Sequence, residues 1–510
     1  VAAGVGLRSD RGQVLASLML SMSLVALDST IIATAVPSIV TELGGFSAFP
    51  WLFSVYLLTQ AVTVPLYGRF ADVHGRRPVL FVGIGLFLLG SVLCGVAWNM
   101  TALIAFRGVQ GLGAGAVQPV TMTIVGDLYS VRERARVQGY LASVWGISAV
   151  VGPTLGGLFS EYLSWRWIFY VNLPVGAVAV WMLARNFHEQ VAGRRHRIDL
   201  TGSLLLVGGC TLLILGLLQG GVSWAWLSGT SLGMFGFAAA LLAAFVLVER
   251  RTPEPVLPLW VFRHRVLVGG NLVAAVVGAV LIGLSSYVPT FVQGVLGTGA
   301  LVAGFALAAL TVGWPIAAAV SGRIYIRIGF RDTALIGAGV VVLGALGMAL
   351  LPRSVTVWQV AACCFVIGVG LGLSSSPTVV AVQSVVDWQR RGVVTGANMF
   401  SRSVGSAVGI AGFGAIANGI LADRLRHPPA ALSGTVLSGT VPAGLDVTGL
   451  VLGGHSRTGS PAVVHYLRGA LYDAGHGVFV ALAVVSVACG LALLLMPRRT
   501  EALPPAGERR

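Results

Sequence analysis

The chain contains no lysine. All 33 of its basic residues are arginine, set against 18 acids, and charged residues fill only 10% of 510 positions. Soluble domains carry roughly 25%, so the deficit excludes a water-soluble protein. Cysteine is scarce as well. Cys94, Cys210, Cys363, Cys364 and Cys489 lie inside apolar runs with no CxxC pair, which argues against a disulfide framework or a zinc site. No phosphate-binding P-loop is present and no GxGxxG follows a strand pattern, so ATP hydrolysis has no support. The "GLGAG" at 111–115 reads as helical packing. The formal charge of +15 would suggest nucleic acid in a soluble protein. In a membrane protein it reflects arginines gathered in cytoplasmic loops, and no nucleic-acid partner is expected.

What the chain has is apolar length: 56% hydrophobic residues and a mean hydropathy of +0.87. A span needs about 20 apolar residues. Fourteen segments qualify: 14–38, 50–70, 79–98, 101–125, 137–160, 167–186, 200–219, 229–249, 266–289, 300–321, 333–352, 356–383, 395–420 and 474–496. The opening "VAAGVGLRSDRGQ" leads into the first span, because the apolar run behind it is too long for a cleavable signal and lacks a small-residue cleavage pattern. With a cytoplasmic N-terminus, Arg166, Arg353, Arg424, Arg426, Arg457 and Arg468 fall outside, Arg107 and Arg402 fall within spans, and every other arginine faces the cytoplasm. That bias places both termini inside.

An internal repeat organises the spans. "GRFADVHGRR" (68–77) follows span two and "GRIYIRIGFR" (322–331) follows span ten, matching at Gly68/Gly322, Arg69/Arg323, Gly75/Gly329 and Arg77/Arg331 with a constant offset of 254. The expected division is a six-span half over 1–186, a linker with two inserted spans over 187–258, and a second six-span half over 259–510. Paired halves around a central site are a common transporter plan. The segment 421–473 reads as an outside loop rich in Gly, Ser, Thr and Pro. Its "TVPAGLDVTGLVLGG" is a candidate hairpin, and the irregular spacing of His427, His455, His465 and His476 argues against a metal site.

Two charges stand alone inside the spans. Asp28 interrupts "VALDSTIIATAVP" (25–37), and a charge in a bilayer interior is costly unless it is paired. Arg107 lies seven residues into span four, roughly 10 Å deep at 1.5 Å per residue. Asp28 lies nine residues below the outer end of span one, roughly 13 Å. Their depths match, so pairing, directly or through water, would lower the cost of both and let Arg107 tune the carboxylate's proton affinity. Such a pair is either structural or a proton-coupling site; a titratable acid is what proton coupling requires, which favours the second reading. No acid mirrors Asp28 in the second half, where the offset lands on Ile282. Arg402, in "FSRSVG", could snorkel to the interface, pair with a loop carboxylate or face a cavity. Asp127, Asp199, Glu249 and Asp473 fall at span ends, as anchors or caps.

In "YGRFADVHGRRP" (67–78), Gly75 suits a helix end, Pro78 suits the start of the next helix, and Arg76 and Arg77 anchor the loop. A basic hairpin explains the arginines but not Asp72. An anion at a helix C-terminus opposes the dipole, so Asp72 needs an arginine or the N-terminus of another helix. In "GPTLGG" (152–157), Gly152 and Gly156 share one helix face, where small residues let backbones approach, and Pro153 bends the helix.

These stretches resemble the major facilitator superfamily, and within it the fourteen-span drug:proton antiporters. The 67–78 loop resembles the family's signature loop, "LDSTIIATAVP" (27–37) its first-span signature, "IAFRGVQGLGAGA" (104–116) its fourth-span arginine motif, and "GPTLGG" its fifth-span antiporter motif. "WRWIFYVNLPVG" (165–176) and "PLWVFRHR" (258–265) are similar to phrases at the same places. Phe70 and His74 depart modestly from the pattern, and the second-half loop has Ile326 where the Asp would stand. The resemblance implies an all-α major facilitator fold of fourteen transmembrane helices, without enzymatic activity or a cofactor, that alternates access to a central cavity. Asp28 and Arg107 would couple protons. Gly68, Asp72, Gly75, Arg76 and Arg77 would gate the cytoplasmic side, with the N-terminus of span thirteen near Thr395 as the partner of Asp72. Gly152, Pro153, Gly156 and Gly157 would seal the outer interface between the halves. Candidate cavity residues are Tyr56, Gln60, Gln110, Gln118, Trp145, Tyr287, Gln293 and Trp314. A roomy apolar cavity with one acid suits amphiphilic or cationic compounds. The expected protein is therefore a monomeric, proton-driven multidrug exporter of a bacterial cytoplasmic membrane, in contact with membrane lipid. A dedicated exporter of a lipid, antibiotic or metabolite is the alternative on the same fold. A non-transporting sensor is remote, because the chain offers no output domain.

Overall fold

The computed structural model describes residues 6, 9, 11–44, 51–189, 199–220, 224–252, 255–427 and 461–498. Among these the secondary structure is helical, apart from one isolated bridge between Gly220 and Trp224. The helices are α1 (Gly12–Leu43), α2 (Trp51–His74), α3 (Arg76–Gly95), α4 (Met100–Leu128), α5 (Val131–Tyr162), α6 (Trp167–Tyr170), α7 (Asn172–Asn186), α8 (Leu200–Gln219), α9 (Gly229–Glu249), α10 (Arg265–Leu296), α11 (Ala300–Ile328), α12 (Phe330–Ala349), α13 (Val357–Ser384), α14 (Arg391–Arg426) and α15 (Pro461–Leu494). Thirteen stretches are long and apolar enough to cross a membrane, with α6 and α7 forming one of them. Helix α2 is long enough at 24 residues, but Thr59, Gln60, Thr63, Arg69 and Asp72 dilute its apolar character. It packs against α4, α14 and α8, so all fourteen expected spans are present as helices.

Helix starts follow local chemistry. Asn99 caps α4 by accepting from Ala102 N–H at 2.7 Å, and Asp199 caps α8 through Gly202 N–H at 2.8 Å, each satisfying a donor that a helix start leaves orphaned. The repeat seen in the sequence has a backbone counterpart. Gly75 (φ 94°, ψ 156°) and Gly329 (φ 93°, ψ 163°) adopt the same left-handed turn between α2 and α3 and between α11 and α12, a conformation open to glycine at little cost. One expectation needs correction. Helix α14 extends to Arg426 and α15 begins at Pro461, so both ends of the expected 421–473 loop are helical. The candidate hairpin and His455 lie outside the described residues.

The first bundle packs α1 on α5 and α7, and α4 on α2 and α3; the second packs α10 on α14 and α15, and α13 on α11 and α12. The pairings among α1 to α5 recur among α10 to α14 under the 254-residue shift, and α15 takes the place of α7 beside α10. Helices α8 and α9 pair with each other, and α8 leans on α2 and α14. Between the bundles the main seams are α2–α14 and α5–α11. Leu58, Ala61 and Val62 of α2, Val393, Val394 and Ala397 of α14, and Leu206, Cys210 and Ile214 of α8 share one buried cluster.

The seams belong to the face that bears the arginine-rich loops. Along α5, Gly139 sits close against Ala319 and Gly146 against the Thr311 carbonyl. Pro153, seven residues further on and hence on a similar face, is exposed, and Gly157 has nothing within 4 Å of an added Cβ. The halves meet at the arginine-rich face and part toward the opposite one.

Candidate functional site

Asp28 is 1% exposed and so is Arg107. Asp28 Oδ2 accepts from Arg107 Nη1 at 2.6 Å, and Asp28 Oδ1 accepts from Gln110 Nε2 at 2.8 Å. Gln110 Oε1 accepts from the same Arg107 Nη1 at 2.7 Å, closing a three-residue ring. Gln110 Nε2 also donates to Ser91 Oγ at 2.8 Å, which accepts from Asn172 Nδ2 at 3.0 Å. Arg107 Nε donates to the Leu52 carbonyl at 3.2 Å, and its guanidinium lies 4.1 Å from the Tyr56 ring centroid. Helices α1, α2, α3, α4 and α7 all contribute, and all belong to the first half. The network sets a carboxylate and a guanidinium in mutual contact, with both carboxylate oxygens satisfied, which is what makes their burial tolerable.

This geometry reassigns two cavity candidates. Gln110 and Tyr56 are buried parts of the ionic network and do not line a substrate space. Gln118 accepts from Arg402 Nη2 at 3.2 Å, so among the three readings of Arg402 the structure selects an inward-facing side chain reaching across to the other half. Trp145 packs against the first-half core, and Tyr287 and Trp314 against the second. Gln60 and Gln293 are half-buried.

The second constellation is a clamp between the halves. The Asp72 carboxylate, 1% exposed, accepts from Gly392 N–H at 2.9 Å and Val393 N–H at 2.8 Å, at the very start of α14. Its partner is therefore the N-terminus of span thirteen, three residues before the Thr395 named from sequence. An anion misplaced at the end of its own helix is well placed at the start of another. Arg76 donates to Asp72 Oδ1 at 2.9 Å, to Asp127 Oδ2 at 3.0 Å and to the Trp388 carbonyl at 2.6 Å, with its guanidinium 3.9 Å from the Trp388 ring centroid. Arg391 donates to Asp127 Oδ1 at 3.0 Å and the Gly126 carbonyl at 2.8 Å. Arg134 donates to the same Gly126 carbonyl. Gly68 allows the approach: a Cβ there would lie 2.5 Å from the Gly392 carbonyl oxygen. A second layer joins Gln383 Nε2 to the Met122 carbonyl at 3.1 Å and to Thr395 Oγ1 at 3.0 Å.

Sequence reasoning missed Asp127, Arg391, Trp388 and Gln383. Asp127 was read as an end anchor, yet it bridges arginines of both halves; its position one residue before the end of α4 gave no hint of Arg391, 264 residues away. Arg77 needs correction in the other direction. Its N–H donates to Glu189 at 2.9 Å and its guanidinium to the Ala184 carbonyl at 2.9 Å, so it braces the first half and does not cross the seam. Gly152 and Gly156 also stay within the first half. Their faces meet Thr30, Ile31 and Thr34 of α1, and the α5 backbone accepts a hydrogen bond from Thr30 Oγ1 at Ser148. They hold α5 on α1, and no seal between the halves forms at them in this conformation, where Pro153 is exposed and Gly157 uncovered.

Two repeated six-helix bundles, one of them built around a buried ion pair and the two clamped together on one face, define a polytopic membrane transport protein. The model of the Major Facilitator Superfamily matches residues 18–410, and the chain belongs to that family. It is similar to the "Multidrug transporter protein MdtP" of Bacillus subtilis (strain 168), 35% identical over 424 residues that cover 82% of this chain and 78% of that protein. It is also similar to "Multidrug resistance protein 3" of the same organism, 33% identical over 430 residues covering 84% and 83%. Among solved structures, a bacterial homologue of the iron transporter ferroportin in an outward-facing state shares the fold, with a TM-score of 0.59 at 11% identity, covering 94% of this chain and 99% of that one.

Proposed function

We propose that this protein is a proton-coupled antiporter that exports drugs or other amphiphilic toxic compounds across a bacterial cytoplasmic membrane. The observation that carries the reading is the closed Asp28–Arg107–Gln110 ring: a titratable acid held in mid-membrane by a partner that can release it. The two Bacillus relatives, named as multidrug transporters and similar over most of their length, support drug export as the task. The arginine bias supports cytoplasmic termini and a cytoplasmic arginine-rich face, which makes the described conformation outward-facing. No cofactor is invoked; the proton gradient supplies the driving force, and the monomer is the working unit.

In the cycle, a proton arriving on Asp28 removes its charge and frees Arg107 to re-pair within the first half. That change biases the two facings of the cavity, because a ligand or proton shifts a conformational equilibrium only by binding one state better. The Asp72 clamp holds the cytoplasmic side shut in the outward state and must open in the other. Cationic cargo would need Asp28 to leave Arg107, since among the described residues no second carboxylate lies at that depth. Amphiphilic cargo needs no such exchange.

The deciding experiment is reconstituted transport with an imposed pH gradient across a substrate panel. Asp28→Asn is expected to reduce gradient-driven export to the level of protein-free vesicles while the protein still inserts. The variant leaves Arg107 underpaired, and breaking a buried pair costs about 3–5 kcal/mol, so Asp28→Asn/Arg107→Gln serves as the folding control. Wild-type gradient-driven transport in Asp28→Asn would reject the role.

A further inference from the structure

Arg402 is the intramembrane charge that the ionic network leaves unexplained. It stands eleven residues into α14, roughly 16 Å from the helix start at 1.5 Å per residue. Gln118 stands ten residues from the other end of α4, roughly 15 Å, so the two side chains meet level with each other from opposite halves. Among the described residues, that single 3.2 Å contact with a neutral amide oxygen is the side-chain hydrogen bond Arg402 makes, and no carboxylate pairs with it. The residue is half-buried, and none of its guanidinium nitrogens is a sealed, unsatisfied donor. Its remaining N–H groups therefore keep some accessible surface.

The position of that space follows from the layers beneath it. Thr395 lies seven residues before Arg402 on a similar face of α14, and it is tied through Gln383 to the Met122 carbonyl. Met122 is one turn beyond Gln118 on α4. The Arg402–Gln118 contact is thus the first layer above the seal. The described hydrogen bonds between halves at Asp72, Arg76, Gln383, Arg391 and Tyr325 all lie on the closed side of it. It forms the floor of the cleft that opens toward the arginine-poor face.

An arginine in the bilayer interior costs several kcal/mol unless water or a counter-charge meets it. Asp28 cannot serve, being bonded to Arg107 and Gln110 eleven and eight residues further along α4 from Gln118. A guanidinium with open N–H groups matches carboxylate and phosphate oxygens in a bidentate fork. The helices that carry Arg402 and Gln118 are themselves largely apolar. We infer that Arg402, oriented by Gln118, is an anion-recognition site at the floor of the cleft, and that the cargo it selects is an amphiphile with a carboxylate or phosphate head. This deepens the exporter reading by naming a substrate class, and it rests on that reading.

The test is equilibrium binding to the full-length protein in phosphatidylcholine nanodiscs, without a proton gradient. The probes are dodecanoate and dodecyl phosphate, with dodecyltrimethylammonium as the cation of equal chain length. Wild type is expected to bind both anions more tightly than the cation. Arg402→Gln should weaken anion binding by about tenfold or more, the size of a lost charge-assisted contact, and should leave the cation unchanged or tighter. Arg402→Lys should restore part of the anion preference. Equal loss for all three probes in Arg402→Gln, or anion binding within twofold of wild type, overturns the site. Should Arg402→Gln not purify as a single species, wild type decides alone: equal affinity for anionic and cationic probes overturns it. Repeating the titration with phosphatidylglycerol in the nanodisc separates the sources. Competition assigns the site to a lipid phosphate, absence of competition to a free amphiphile, and either supports it. Because no gradient is used, intact anion binding in a protein that fails the transport assay would sink the exporter and leave the site standing, and the reverse result would do the opposite.

Discussion

The α2–α14 and α5–α11 seams occupy equivalent places under the repeat, yet they are held by different chemistry. At α2–α14, the start of α14 makes no side-chain cap of its own, and its first N–H groups are satisfied by Asp72 from the other half. At α5–α11, the start of α5 is capped locally: Glu133 reaches back to Ser130 N–H at 2.8 Å, one arm of a capping box. The position equivalent to Asp72 is Ile326, and at 45% exposure it does not face the seam. Tyr325 beside it does, donating to the Val131 carbonyl at 2.5 Å. A helix end capped within its own half is indifferent to whether the halves meet. A helix end capped across the seam is not, so closure of α2–α14 is coupled to the satisfaction of orphan donors. The first seam is also buttressed by α8, which shares its buried cluster. This difference supplies a physical reason for the acid in one copy of the loop and its absence in the other.

Four substitutions can break or sharpen the contrast, read as distances between spin labels at positions 74 and 389 for α2–α14 and at positions 132 and 327 for α5–α11. Asp72→Asn should act most strongly. It removes the charged acceptor of two N–H groups and of Arg76, and loss of one partner from such a buried set costs about 3 kcal/mol, enough to move a closed seam largely open. Unchanged 74–389 distances would show that Asp127 and Arg391 hold the seam without it. Gly68→Ala should come next, at roughly 1–3 kcal/mol for overpacking, because its new Cβ meets a backbone carbonyl at 2.5 Å. Gly139→Ala in the other seam meets the Ala319 methyl at 2.8 Å and should open its seam less; the reverse order would contradict the packing argument. Tyr325→Phe should be weakest, near 1 kcal/mol for one neutral hydrogen bond, shifting only the 132–327 distance. A shift at 74–389 of equal size would mean that the two seams open as one.

Much of this was legible in the sequence because it rests on local physics. Apolar length gave the spans, matched depth brought Asp28 to Arg107, and an anion at the wrong end of a helix announced that Asp72 needed a distant donor. The failures were of another kind. Gly152 and Gly156 were read correctly as a close-approach face, but which helix approaches is a tertiary fact. Gln110 reads as cavity lining in the sequence because an amide on a helix carries no mark of whether it meets ligand or ion pair. Asp127 and Arg391 sit at helix ends, where a capping role explains either one singly, and their pairing becomes visible only once α4 and α14 are side by side.

What the sequence determined by itself is the membrane class, the approximate placement of its helices, the duplication and the expense of its buried charges, since each follows from composition, length or spacing along one helix. What only the tertiary structure decided is which face each helix turns to which neighbour: that the clamp crosses the halves while the glycine pair does not, and that Arg402 reaches Gln118 of the other half. Helix propensity and hydropathy mark where an element lies, but its rotation and partner are set by packing against helices hundreds of residues away, and no local pattern encodes that.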